Sequence, residues 1–522
     1  METFTQNLEY QTSDYTTFSS LRSGFWVLLV AILGSSMAFI DSTAVNTVLP
    51  VLQRELNATI TQTQWIIEGY ALFISSLILF GGALGDKYGR RRIFIIGVFL
   101  FTGSSVWCAL APGIHQLITA RLFQGIGGAL LVPGSLAIIN VSFDNSSRGR
   151  AIGIWSAFTA ATTGIGPILG GWLAENVSWR WIFVINVPLS IIVLLLLLLR
   201  VPDDRVTGYL KLDVAGAVMV SGGLGSMVFG LIESSNMGFS SPFVISTILF
   251  GMVLLASFVY YEDRIEQPLL PLGIFRSRTF TGANIVSFLF WAAWNAVIFF
   301  IPFCLIQIHG FSATSLALGF LPAILVLFVA APLTGQLINR IGVRVPLVVG
   351  TCIISVSYIL FIIPGVESQY FYDWFTPIIF MGLGIGITIS PMMSAVMGSV
   401  EKRYSGLVSG INNSVGRVAG LVAIAILGIV AIHIFNFELD NHLSGLNLDA
   451  RTLGFIEHEK IKLAGAKVPE WLSPEMAQTI RHYIDVSFLK SFRIVMSLCA
   501  FLTLLSAVFT FYMVDDDKID TE

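Results

Sequence analysis

The chain is poor in charge. Of its 522 residues only 12% are Asp, Glu, Lys or Arg, about half the share of a typical soluble domain. Hydrophobic residues make up 55% and the mean hydropathy is +0.81. This balance excludes an ordinary soluble enzyme. Cysteine is scarce too: Cys108, Cys304, Cys352 and Cys499 each lie inside an apolar stretch, so no disulfide framework is expected. His433, His442, His458 and His482 lack metal-ligand spacing, and no metal site is expected. A nucleotide-binding phosphate loop is missing, which speaks against direct ATP drive. No cofactor and no nucleic-acid partner is expected. The net charge of -3 says less than where the charges fall.

What is abundant is apolar sequence in runs of the length a bilayer core requires, about 20 residues. Fourteen such spans are expected, near 25–49, 62–84, 92–111, 115–140, 150–173, 179–200, 213–233, 242–261, 280–304, 312–335, 345–363, 375–399, 405–433 and 488–513. The first is too long for a signal-peptide core and reads as a retained helix after a polar tail, residues 1–24. With both termini cytoplasmic, one set of short loops collects Lys87, Arg90, Arg91, Arg92, Arg148, Arg150, Arg276, Arg278, Arg340 and Arg344. The opposite turns hold little beyond Arg54 and Arg180, which is the positive-inside bias. A polar outer loop, 434–487, separates the last two spans. It reads either as short capping helices, 450–461 and 474–484, or as a flexible spacer. Residues 514–522 form a short cytoplasmic tail.

A tight basic turn, Gly85-Asp86-Lys87-Tyr88-Gly89-Arg90-Arg91-Arg92, has a degraded copy in Gly335–Arg344. Asp86 aligns with Asn339, Gly89 with Gly342 and Arg91 with Arg344. Phe123-Gln124-Gly125-Ile126-Gly127 similarly matches Phe380-Met381-Gly382-Leu383-Gly384. Two six-helix lobes, 25–200 and 280–513, follow from this parallel repeat. The glycine-rich pair at 213–261 has no counterpart and reads as an insertion. The fold class expected is an all-α membrane protein with fourteen transmembrane helices.

These motifs resemble the major facilitator superfamily, specifically its fourteen-helix drug:proton antiporters of the EmrB/QacA type, along essentially the whole chain. Gly85–Arg92 is similar to the superfamily's loop signature, and Asp41–Pro50 to the first-helix signature of the fourteen-helix group, with Val48 where Ala is usual. Arg121, Gln124, Gly125 and Gly127 resemble the fourth-helix signature linked to proton transfer. Gly153, Gly166, Pro167, Gly170 and Gly171 resemble the antiporter signature of the fifth helix, Thr162 replacing a glycine. The resemblance implies a multi-pass exporter of the inner or plasma membrane, not an enzyme. Its partners would be a small organic substrate, protons and the bilayer; the sequence leaves the oligomeric state open, a monomer being compatible with it.

Ionisable residues inside membrane helices are costly and mark function. At about 1.5 Å per residue, Asp41, Glu68, Arg121 and Arg417 all fall in the outer half of the membrane. Asp41, Glu68 and Arg121 are the proton-coupling candidates, and Glu68–Arg417 is the expected inter-lobe ion pair. Static ion pairs that only hold helices together are the alternative. Asp86, Arg90 and Arg91 suit a cytoplasmic latch, or a turn that only sets orientation. Gly166, Pro167, Gly170 and Gly171 suit a smooth sealing surface. Trp155, Phe158, Phe290, Trp291, Trp294 and Asn295 would offer aromatic faces and an amide to a bulky amphipathic or cationic substrate. The alternatives to multidrug export are an exporter of one metabolite or siderophore, and a non-transporting receptor or scaffold.

Overall fold

The computed structural model describes residues 21–143, 145–201, 213–265, 268–400, 405–446 and 448–515. Among these there are α-helices and short 3-10 or π turns, without strands. The helices are α1 (Leu21–Glu55), α2 (Ile60–Tyr88), α3 (Arg90–Leu110), α4 (Ile114–Ser142), α5 (Asn145–Asn176), α6 (Trp181–Val184), α7 (Asn186–Arg200), α8 (Val214–Met237) and α9 (Pro242–Glu262). Then follow α10 (Arg278–Phe303), α11 (Ala313–Gly319), α12 (Leu321–Ile341), α13 (Arg344–Leu360), α14 (Phe375–Gly398), α15 (Ser405–Leu443), α16 (Ala450–Glu459) and α17 (Pro474–Met513). Within the described residues, 11 helical segments are long and apolar enough to cross a membrane.

Local chemistry sets several boundaries. At the start of α2, Gln62 N donates to the Thr59 hydroxyl at 3.1 Å and Thr59 N donates to the Gln62 side chain at 3.0 Å, a reciprocal cap. Prolines accompany some of the departures from the expected spans. The span expected at 179–200 is interrupted at Ile185, because Pro188 has no N–H for the Val184 carbonyl, and 312–335 is interrupted at Phe320, ahead of Pro322. Beyond Pro302, α10 loosens into a π turn at Cys304–Ile308.

Helices α1–α7 pack as one bundle, in which α4 lies between α2 and α3, and α5 lies on α1. Helices α10–α17 form a second, with α14 between α12 and α13. The α8–α9 pair packs on itself and leans through α8 on α2 and α15. Glycines allow the closest approaches. A Cβ on Gly125 would lie 2.5 Å from Tyr70 O on α2, and one on Gly127 would lie 2.5 Å from Phe101 N on α3. Gly382 and Gly384 meet Ala323 of α12 and Ile354 of α13 in the same way.

The two bundles meet at the end of the molecule that carries the α1–α2 turn. There Gln64 Nε2 donates to Ile424 O (3.1 Å), and Gln307 Nε2 to Gln53 Oε1 (2.8 Å). Thr314 N donates to Glu175 (3.3 Å). The segment expected as an outer loop is a structured cap over this seam. α15 runs on to Leu443, α16 is a separate short helix, and the second expected capping helix is the first part of the continuous α17. Lys462 sits in the cap with its ammonium on Glu459 and on Asn57 Oδ1 (2.9 Å), and its carbonyl accepts from Gln53 at 3.2 Å.

Candidate functional site

The basic turn joins α2 to α3, two of the helices that surround the buried charges. Gly89 and Gly342 both adopt positive φ, 98° and 74°, the conformation that favours glycine. Arg91 donates from Nε to Leu197 O (3.1 Å) and from Nη2 to Leu198 O (3.3 Å). It therefore ties the start of α3 to the last carbonyls of α7, where a cation suits the helix dipole. Arg344 repeats this on the backbone of α17, bonding Phe511 O with its guanidinium over the Phe511 ring. Arg90 is half-buried at the start of α3. The Asp86 side chain, expected in a latch, lies outside the described residues.

Five helices converge inside the first bundle. Asp41 is 0% exposed, Arg121 1% and Gln124 0%. Arg121 and Gln124, three apart on α4, present one face. Arg121 Nη1 donates to Asp41 Oδ2 and, at 2.6 Å, to Gln124 Oε1. Its Nε donates to Ile66 O of α2 at 3.1 Å. Gln124 Nε2 donates to Asp41 Oδ1 (2.9 Å) and Ser105 Oγ of α3 (2.8 Å). Asn186, at the start of α7, donates from Nδ2 to Ser105 Oγ (3.2 Å) and Asp41 Oδ1 (3.4 Å). The guanidinium also stacks on Tyr70, 4.1 Å from the ring centre. An ion pair this far from water is held by its hydrogen bonds as much as by charge. A proton added to Asp41 would cancel one charge and release Arg121 from its partner.

Sequence reasoning reached Asp41 and Arg121, but not Asn186, Ser105 or Tyr70. The Asn186-Val187-Pro188 step was the available signal: a polar amide ahead of a proline in an otherwise apolar run. Glu68 does not join this group. Residues 68 and 70 point about 200° apart on one helix, so Tyr70 turns to Arg121 while Glu68 turns away. Glu68 is fully buried and neither carboxylate oxygen has a hydrogen-bond partner. The expected Glu68–Arg417 ion pair is therefore not formed in this structure.

The fifth-helix glycines serve two contacts. Gly166 and Gly170 press on α1: Ile40 O would be 3.1 Å from a Cβ on Gly166, and the Ala44 Cβ 2.7 Å from one on Gly170. Gly171 crosses to the other bundle, where a Cβ would stand 2.5 Å from Ala313 O. Pro167 lies inside α5.

The aromatic candidates divide. Trp155 Nε1 donates to Ser35 Oγ (3.1 Å), which itself donates to Ser135 Oγ (2.7 Å), inside the first bundle. Phe158 is 55% exposed. Trp291 and Asn295 of α10 lie against Gly416 and Gly420 of α15, and the Asn295 amide donates to Trp291 O at 2.7 Å. Trp294 is half-buried beside the core. Phe290 is 1% exposed and is a core residue, not a lining one. Among the described residues no group of three or more His, Cys, Asp or Glu could hold a metal ion.

Comparison with known proteins adds the lineage. The family model described as Major Facilitator Superfamily matches residues 31–424. The tetracenomycin C resistance and export protein of Streptomyces glaucescens is 31% identical over 80% of this chain and 78% of its own. The multidrug resistance protein Stp of Mycobacterium tuberculosis is 31% identical over 81% and 78%, and the puromycin resistance protein pur8 of Streptomyces alboniger 32% over 78% and 82%. In fold, the chain resembles a bacterial homolog of the human lysosomal transporter Spinster in its inward-facing, unoccupied conformation, with a TM-score of 0.63 at 18% identity, covering 95% of this chain and 99% of that one. This is a multi-pass membrane protein, and the chain belongs to the Major Facilitator Superfamily.

Proposed function

We propose that the protein exports organic compounds across the inner or plasma membrane in exchange for protons, by alternating access. The observation that carries this reading is the fully buried, hydrogen-bonded Asp41–Arg121–Gln124 cluster. Ionisable groups in that position are expensive, and a carboxylate that gains and loses a proton against a fixed guanidinium is a means of coupling. The relatives named for resistance to, or export of, tetracenomycin C and puromycin support an organic substrate. One charge moving through 100 mV supplies about 2.3 kcal/mol, comparable to the few kcal/mol that separate two conformations.

In this reading both termini are cytoplasmic, and the seam closed by Gln53, Gln307 and the cap is the outer one. The chain makes two six-helix lobes, 25–200 and 280–513, with 213–261 inserted. Helices α2, α5 and α13 join the 11 apolar segments to give fourteen crossings. Asp41 and Arg121 carry the proton, with Glu68 as a second carboxyl. Asp86, Arg90 and Arg91 latch the cytoplasmic side, and Gly166, Pro167, Gly170 and Gly171 seal the outer one. Phe158, Trp155, Trp291, Trp294 and Asn295 meet the substrate.

The test is a susceptibility panel of puromycin, ethidium and tetracycline in cells deprived of their own pumps. Protection by the natural chain and its loss in Asp41→Asn at equal expression is the expected result. Equal protection by both versions would overturn proton coupling through Asp41, and no protection against any compound would argue against a multidrug pump.

A further inference from the structure

The proton carrier must be satisfied in two chemical states, and the structure contains a group suited to both. With Asp41 ionised, its two oxygens accept from Arg121, Gln124 and Asn186. Once protonated, the carboxyl becomes a donor and requires an acceptor, since a buried O–H left unmade is costly. Most nearby acceptors are engaged. Gln124 Oε1 already receives Arg121 Nη1 at 2.6 Å and the Cys108 thiol at 3.6 Å. Ser105 Oγ receives both Gln124 and Asn186. The exception is Asn186 Oδ1, which is buried and has no hydrogen-bond partner, on a residue that is 0% exposed.

We propose that Asn186 is the switchable partner of Asp41, donating to it when ionised and accepting from it when protonated. An amide carries a donor and an acceptor at nearly equal reach. Half a turn about its last side-chain bond places Oδ1 where Nδ2 now stands, 3.4 Å from Asp41 Oδ1 and 3.2 Å from Ser105 Oγ. The incoming proton, taken from water on one face of the membrane, binds Asp41 Oδ1. That O–H then donates to Asn186 Oδ1, and the Ser105 hydroxyl is free to donate to the same oxygen. No covalent bond other than the new O–H is made or broken. Asn186 thus acts as a positioning residue, at the first turn of α7 behind the interruption at Ile185. The charged and titratable groups facing Asp41 are Arg121, from α4, Tyr70, from α2, and Cys108, from α3.

This inference rests on Asp41 being the proton carrier, and the experiment separates the two. The full-length protein in lipid is titrated by infrared difference spectroscopy, and the carboxylic C=O band that disappears in Asp41→Asn is followed. In the natural chain the band should lie at the hydrogen-bonded position. In Asn186→Leu, close in shape but without polar atoms, it should move to the higher frequency of an unbonded acid, and proton-driven ethidium exchange should fall about tenfold, the equivalent of 1.4 kcal/mol. Asn186→Ser, whose hydroxyl both donates and accepts, should keep the bonded position and guards against a folding artefact. An unmoved band in Asn186→Leu overturns the role of Asn186. A titration with no Asp41-dependent band overturns the carrier reading itself, and this inference with it.

Discussion

The two helical bundles share a packing plan and differ in what they bury at its centre. In the first, α4 is wedged between α2 and α3 by Gly125 and Gly127. In the second, α14 is wedged between α12 and α13 by Gly382 and Gly384. The repeat that aligns Phe123–Gly127 with Phe380–Gly384 places Ile378 opposite Arg121 and Met381 opposite Gln124. Ile378 is 0% exposed and Met381 1%. An ion-pair cluster on one side is thus an apolar core on the other, within the same helix geometry. A neutral polar group lies elsewhere in the second bundle, where Asn412 donates to Ser287 Oγ (2.7 Å) and Asn284 Oδ1 (3.3 Å). Packing at these matched positions does not require charge, so the Arg121–Gln124 pair on the first bundle argues for chemistry there.

The sharpest way to break this comparison is to treat the matched positions alike. Arg121→Leu leaves Asp41 as a buried carboxyl without its cation, and should cost about 3–5 kcal/mol. Ile378→Val removes one buried methylene and should cost about 0.5–1.5 kcal/mol. Thermal unfolding of the two variants in one detergent measures the difference. Equal losses would mean that the ion pair is no more than packing.

The glycine wedges should respond equally in both bundles. Gly127→Val and Gly384→Val each push a branched side chain into a neighbouring helix, with expected costs of about 1–3 kcal/mol. The same melting experiment reads them, and a loss confined to one bundle would show that the shared plan is not shared in energy.

This plan was legible in the sequence because it is written in spacings: glycines two apart, and a basic turn and its echo; the breaks ahead of Pro188 and Pro322 were not read from it. Asp41 and Arg121 were legible as charges in apolar surroundings. Their partners were not, because the rotation of one helix against the next decides them. Two positions along α2 turn Glu68 away from the group that Tyr70 joins, and a depth estimate carries no such angle. Asn186 and Ser105 were missed for the same reason, being ordinary polar residues until five helices bring them to one carboxylate. The cap was left open between helix and spacer, since its order comes from contacts such as Lys462 with Asn57 rather than from local pattern.

A further contrast lies within α5. Gly170 faces its own bundle and Gly171 faces the other. Gly170→Ala should lower the melting temperature without changing which end of the molecule is open. Gly171→Leu should instead force apart the contact at Ala313. A Thr314→Cys reporter should then react about tenfold faster with a membrane-impermeant maleimide, a shift of about 1.4 kcal/mol between conformations. Unchanged labelling would remove Gly171 from the seal.

The smallest effect belongs to the cap, which only the second bundle carries. The Lys460 ammonium bonds both Asp440 and Glu457. Burial alone would lower its pKa, but the bonds to Asp440 and Glu457 outweigh burial and hold it above the ordinary lysine value. Because the folded value is raised, this contribution is complete below the unfolded lysine pKa of about 10.4 and is lost as pH rises through the folded one. Asp440 and Glu457 are 59% and 71% exposed, so solvent screening should keep the contribution under about 1 kcal/mol. Limited proteolysis of residues 450–467 from pH 8 to about pH 11 should show the cap loosening only at the alkaline end. Lys460→Met should flatten that dependence, and an identical profile in the variant would assign the loosening to another group.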